Sequence, residues 1–279
     1  MFGMLLALVS NAFQELADSV GKYEIHTRAA SIYTIGFLSL LFGAILLVAE
    51  GLMRHSFVFS FASLPTFVPR LFLEVLQAHV TVRAVATADR SDFGLVRTLT
   101  IPLLLIVDVA LGYAIAPAQF LGVAIIVLAV TTLVLIERTH MKGFWLLLLT
   151  AINAVITISL YKYDITHFNS VEAEQTIVNC VLMVYFFSLA VYVAKENPFG
   201  FLRRPLFLLQ SLASGSAYVA TSFAYLFAPA SIITTALRSF SVLFALISGK
   251  FYFHEKHMHL KVALFLMVTA GLVLLTVHV

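Results

Sequence analysis

The 279-residue chain is 61% hydrophobic and only 11% charged, with a mean hydropathy of +1.01, whereas soluble domains run at about 45–50% apolar and about 25% charged. No water-soluble fold of this size hides that much apolar surface, so soluble classes are excluded and a lipid bilayer is the expected surrounding. The formal net charge of +3 is what basic loops supply for membrane topology and carries no nucleic-acid inference.

A membrane-crossing helix needs about 20 mostly apolar residues. Ten such segments, bounded by charge, Pro or Gly, are predicted at 2–20, 30–52, 64–88, 93–115, 118–136, 143–161, 177–194, 205–227, 229–253 and 260–277. The first lacks a basic lead and a small-residue cleavage pattern, which predicts a retained helix rather than a removable signal. Within it Asn11, Gln14, Glu15 and Asp18 recur at i, i+3, i+4 and i+7, one stripe at helical period. That stripe suits a cavity wall whose carboxylates meet a cationic group or carry a coupling proton, although Asp18 beside Lys22 also fits a solvated boundary. The third helix places Arg70, Glu74, Gln77 and Thr81 on one face; Arg70 and Glu74 can pair at i,i+4, which leaves Gln77 as the contact candidate.

Arg97 opens the fourth helix, Pro102 removes a backbone hydrogen bond and predicts a kink, and Asp108 follows Arg97 on the same face. Only Ala116 and Pro117 separate the fourth and fifth helices, a tight hairpin. Asn153 lies mid-way along the sixth. Cys180, the single cysteine, excludes an internal disulfide and reads as a buried, inert thiol in the seventh. In the eighth, Gln210, Ser214, Tyr218, Thr221 and Tyr225 form an uncharged stripe fit to hydrogen-bond a polar solute, while Ser211, Ser214, Gly215 and Ser216 equally suit close helix packing. Arg238 stands near the start of the ninth, where Pro229 is expected to begin the helix. Arg97 and Arg238 are natural ligands for an acidic group; the alternatives are that Arg97 snorkels to the interface and that Arg238 pairs with Glu15 or Glu74.

Of the 17 Lys and Arg, eleven fall in the loops after helices one, three, five, seven and nine, two (Arg54 and Lys162) in the remaining loops and four inside helices. By the positive-inside rule the first set faces the cytoplasm and both termini lie outside. The bias alternates oppositely in residues 1–138 and 142–279, as expected when a five-helix unit is duplicated in tandem and inserted in opposite senses. A shift of 142 residues brings Asn11 onto Asn153 and the segment 112–133 onto 254–275, each a polar corner followed by a last apolar helix.

With these residues in view, the chain resembles the drug/metabolite transporter superfamily, in particular its EamA-type members with two five-helix repeats. Such members end each repeat with a small residue and Glu, a short polar corner and a Gly-containing helix. Gly112 and the run from Ile115 to Gly122 fit the first corner, with Tyr113 where the family has Glu; the second keeps Glu255 and Gly271, with Leu264 in place of the usual first glycine. The resemblance implies an all-α membrane fold of ten transmembrane helices, two inverted five-helix repeats around a central cavity. Helices one, three, four, six, eight and nine would line that cavity, with five and ten at the periphery.

No G-x-S-x-G elbow, phosphate-binding glycine loop or catalytic pair stands out, so no enzyme is predicted. His254, Glu255, His257 and His259 invite a zinc reading, but Met258 occupies the position that a second histidine at i,i+4 would need, so no metal or cofactor is expected. The expectation is a secondary transporter or exporter of a small polar metabolite, amino-acid-like or nucleoside- or sugar-like, working by alternating access in the plasma (inner) membrane. Its substrate contacts would come from Asn11, Gln14, Glu15, Gln77, Arg97, Asn153, Gln210, Ser214, Tyr218 and Arg238, with protons as possible coupling ions. The competing expectation is a non-transporting membrane scaffold or assembly protein that retains this fold. Substrate identity and oligomeric state are not legible.

Overall fold

The computed structural model describes residues 2–110, 117–137, 143–227, 230–254 and 257–276, and among these it is all-helical, without strands. The helices are α1 (Phe2–His26), α2 (Ile32–Arg54), α3 (Leu64–Thr87), α4 (Arg90–Arg97), α5 (Thr100–Ala110), α6 (Pro117–Glu137), α7 (Phe144–His167), α8 (Val171–Tyr192), the single turn α9 (Pro198–Phe201), α10 (Pro205–Ala224), α11 (Ala230–Phe251) and α12 (Met258–Thr276), with a 3₁₀ turn at Phe61–Ser63. Their starts follow local chemistry. Ser31 and Ser170, both extended, accept from the backbone N–H groups of Thr34 and Ala173 and cap α2 and α8, and Glu172 and Glu174 add negative charge to the first turn of α8.

The predicted fourth helix is two helices, and the break precedes the proline instead of coinciding with it. Pro102 has no N–H for the Thr98 carbonyl and its ring crowds that carbonyl. The chain answers by closing α4 with tight i,i+3 bonds, Thr98 to Leu95 and Leu99 to Val96, while the Thr98 carbonyl takes the Ile101 N–H at 3.0 Å. The hairpin corners at 111–116 and 228–229, and Glu255 of the histidine corner, lie outside the described residues, as does the Asp108 side chain.

Among the described residues α2, α7 and α8 are each long and apolar enough to cross a membrane, and the distribution of polarity agrees. Trp145 and Phe72 are 76% and 73% exposed while Arg70 and Arg90 are 1% and 2% exposed, an arrangement water would not tolerate and lipid favours. The chain is therefore a membrane protein. Cys180, expected to be buried, is exposed on α8 on a surface with Val181, Val184 and Phe187; a thiol on a lipid-facing strip is as apolar as its neighbours, and hydropathy cannot distinguish that strip from a core.

The principal helix contacts are α1 with α10 and α11, α2 with α8 and α10, α3 with α7, α4 with α11, and α6 with α12. Two are backbone-close. A Cβ on Gly215 would lie 2.5 Å from the Gly43 nitrogen and 2.8 Å from the Phe42 carbonyl carbon, and one on Gly271 would lie 2.8 Å from the Gly122 carbonyl oxygen. Glycine at these crossings lets α2 meet α10 and α6 meet α12 with little side chain between them.

Candidate solute-binding cavity

Polar faces of seven helices converge on one cavity of about 280 Å³. Helix α1 contributes Ser10, Asn11, Gln14, Glu15 and Asp18; α3 contributes Arg70, Glu74 and Gln77; α4 contributes Arg90, Phe93 and Arg97. From the other side come Ala154, Thr157, Ile158 and Tyr161 of α7, Gln175 of α8, Tyr218, Thr221, Ser222 and Tyr225 of α10, and Leu237, Arg238 and Ser241 of α11. The stripes of α1, α3 and α10 face inward because no lipid-facing azimuth would satisfy them.

Ion pairs flank the cavity at two ends. Where α1, α3 and α11 finish and α4 and α12 begin, Arg90 donates to Glu15 from Nε at 3.1 Å and from Nη2 at 2.9 Å, and from Nη2 to Asp18 at 2.8 Å. Ser248 of α11 donates to the same Glu15 at 2.5 Å, and around this knot Lys22 donates to the Ala88 carbonyl at 2.7 Å while Lys261 pairs with Asp92 at 2.9 Å. At the opposite end, where α3 and α8 begin, Arg70 pairs with Glu174 and, at 3.4 Å, with Glu74, and its guanidinium lies 4.5 Å from the centre of the Tyr161 ring. Asn169 donates to Glu174 and to Ser63, each at 3.0 Å, and Thr66 donates to Asp164 at 2.5 Å. Arg70 thus has two carboxylates, the sequence-expected Glu74 being the longer contact.

Of the sequence-predicted contacts, Asn11, Gln14, Glu15, Gln77, Arg97, Tyr218 and Arg238 line the cavity, and Asn153, Gln210 and Ser214 do not. Asn153 is turned toward α3, where Nδ2 donates to the Leu73 carbonyl at 2.8 Å and to Gln77 Oε1 at 2.9 Å; it holds a wall residue in place without facing the space. Gln210 donates to Ser39 Oγ at 2.6 Å across the α2–α10 contact, and Ser214 is buried beside Gly215 at the same crossing. In each case polarity was read correctly and helix rotation was not available, because polar groups that staple helices and polar groups that face a cavity share one composition.

Several residues of the site, three in the wall and Glu174 behind Arg70, escape sequence reading. Arg90 sits in the run Asp89-Arg90-Ser91-Asp92, which looks like a solvated loop, and Glu174 looks like an ordinary first-turn charge. Tyr161 and Gln175 carry no periodic signal at all.

The cationic groups divide into two kinds. Arg70 and Arg90 are held by carboxylates, whereas among the described residues no carboxylate lies within ion-pair distance of Arg97 or Arg238; the Nε atoms of Arg97 and Arg238, like that of Arg70, are buried without a hydrogen-bond partner. Arg97 rests on the Phe93 ring, 5.0 Å from its centroid. Arg238 does not pair with Glu15 or Glu74. Glu15 is bound to Arg90 and Ser248, so its carboxylate serves those contacts first. Among the described residues no three His, Cys, Asp or Glu side chains are grouped to hold a metal ion. No family model and no curated protein matches the chain.

Proposed function

We propose that the chain is a secondary transporter of a small polar metabolite, a multi-pass protein of the plasma membrane whose ten helical segments form two inverted five-helix repeats. The observation that carries this reading is the cavity itself: polar side chains from seven helices around about 280 Å³, close to the roughly 300 Å³ lower bound of small-molecule sites. A scaffold that merely kept the fold would have filled this space with Phe and Leu, yet the apolar wall residues are few, with Phe93, Ile158 and Leu237 the large ones.

The pattern of helix contacts supports the repeat. Exchanging α1 to α3 for α7, α8 and α10, α4 and α5 for α11, and α6 for α12 turns the α1–α10 contact into α3–α7, α1–α11 into α4–α7 and α5–α7, and α2–α10 into α3–α8, all of which are present. The α2–α8, α4–α11 and α6–α12 contacts map onto themselves, as pairs lying on a two-fold axis do. Rocking the halves would part the contacts that cross between them at one end, Ser248–Glu15 and Lys261–Asp92, while keeping Arg70–Glu174 shut at the other, and the reverse, which is alternating access around a fixed site. The family resemblance belongs to this same proposal, as does a coupling proton on a wall carboxylate.

The test is release from proteoliposomes loaded with an isotopically labelled metabolite extract. Wild-type protein is expected to release a subset of solutes faster than protein-free vesicles, and Thr157→Phe, which fills the cavity, to abolish that release. Equal release from wild-type, Thr157→Phe and empty vesicles would leave the scaffold reading in its place.

A further inference from the structure

The geometry points to Arg97 and Arg238 as an anion-binding centre, so that the solute taken by this cavity carries an acidic group, a carboxylate or a phosphate. This rests on the cavity being a ligand site and specifies what it selects. Both side chains reach the cavity, Arg97 from α4 and Arg238 from α11, two helices that pack on each other. Arg238 is 8% exposed, and the Nε atoms of both are buried without a partner.

The contrast with the other two cavity arginines identifies the role. Arg90 has Glu15 and Asp18, and Arg70 has Glu174 and Glu74, so those guanidinium groups are neutralised by the protein. Arg97 and Arg238 face the same cavity from two helices in contact and have no carboxylate in contact among the described residues. Asp18 of the wall is committed elsewhere, accepting from both Arg90 and Gln14 at 2.8 Å.

Two like charges facing one cavity, each with a buried Nε and no carboxylate in contact among the described residues, are unfavourable, and each guanidinium offers a planar fork that matches carboxylate or phosphate oxygens in a bidentate way. Phe93 fixes the plane of Arg97 by stacking beneath it. Because α4 and α11 are exchanged by the proposed repeat, an anion between these residues would be held by one guanidinium from each half.

The test uses the purified full-length protein in detergent and reads thermal unfolding in sodium acetate, sodium phosphate and sodium chloride at constant ionic strength, followed by the pairs lactate and lactamide, and glycerol 3-phosphate and glycerol. Acetate or phosphate is expected to raise the unfolding temperature saturably above chloride, and the charged member of a pair to stabilise where its neutral partner does not; the two pairs separate carboxylate from phosphate selection. Arg97→Gln and Arg238→Gln are each expected to weaken that binding by about tenfold or more while leaving the unliganded protein no less stable, the opposite of what removing a structural ion-pair partner does.

The proposal is overturned if neither acetate nor phosphate stabilises wild type beyond chloride, if neutral partners stabilise equally, or if both variants keep wild-type binding. Release of neutral solutes alone from loaded vesicles would overturn the anion centre and leave the transporter reading intact; anion binding without any release would do the reverse.

Discussion

Arg70 and Glu174 provide the sharpest test of how the end of the cavity at the start of α3 and α8 is held. The Glu174 side chain is fully buried, its cationic partner Arg70 is 1% exposed, and Asn169 supplies the only other donor among the described residues, at 3.0 Å. Arg70→Met keeps the volume and removes the charge, leaving a buried carboxylate with one amide donor. Breaking a buried pair in this way costs about 3–5 kcal/mol, a shift of roughly two to three and a half orders of magnitude in the unfolding equilibrium. Arg70→Met combined with Glu174→Gln removes both charges, and the Gln oxygen still accepts from Asn169, so the double variant is expected to be more stable than Arg70→Met alone by about 1–3 kcal/mol. Unfolding in mixed micelles titrated with dodecyl sulfate measures all four members of the cycle. Loss of under about 1 kcal/mol in Arg70→Met, or a double variant as unstable as the sum of the singles, would refute the assignment of Glu174 as an uncompensated charge once Arg70 is gone.

Gly215→Ala places a Cβ 2.5 Å from the Gly43 nitrogen, where only backbone can yield, and should destabilise by about 1–3 kcal/mol or more in the same titration, whereas Gly200→Ala, with nothing within 4 Å, should be nearly neutral. Glu15→Gln removes the carboxylate that accepts from two Arg90 nitrogens and from Ser248; Asp18 remains, so the expectation is a loss of about 1–3 kcal/mol and faster labelling of a cysteine placed at Ser241, read by maleimide kinetics. Unchanged labelling would mean the Arg90 knot does not control access at its end. Cys180 should react slowly with a charged maleimide in vesicles, because lipid excludes the reagent and disfavours the thiolate, and readily once the protein is unfolded in dodecyl sulfate; rapid reaction with the charged reagent in vesicles would remove that face of α8 from the lipid-facing surface.

The helical segments were legible because long apolar runs set off by charge, Pro or Gly fold as helices, and the runs of α6 and α12, whose polar content is minimal, stood out for that reason. The stripe Asn11, Gln14, Glu15 and Asp18 was legible because four polar residues on one face must find company. Their company was not. Arg90 is 75 residues from Glu15 in a stretch indistinguishable from a loop, and Glu174 is 104 residues from Arg70. Azimuth was equally hidden: Asn11 and Asn153 each lie within a long apolar helix, α1 and α7, yet one faces the cavity and the other staples α7 to α3. The position of the α4–α5 break required knowing that the lost Pro102 donor is felt at the Thr98 carbonyl, one turn upstream.

That break makes α4 an eight-residue rod with its own two ends. Arg90 and Arg97 are seven residues apart on it, about 10 Å along the axis, with Phe93 between them touching both guanidinium groups at 5.3 and 5.0 Å. Gly94 seats the rod against α11, a Cβ there meeting Val242 Cα at 3.2 Å and Ala245 Cβ at 3.3 Å. Both arginines are thereby mounted on one short helix: an anion drawn to Arg97, as proposed, would pull on the same piece whose other end grips Glu15 and Asp18 through Arg90.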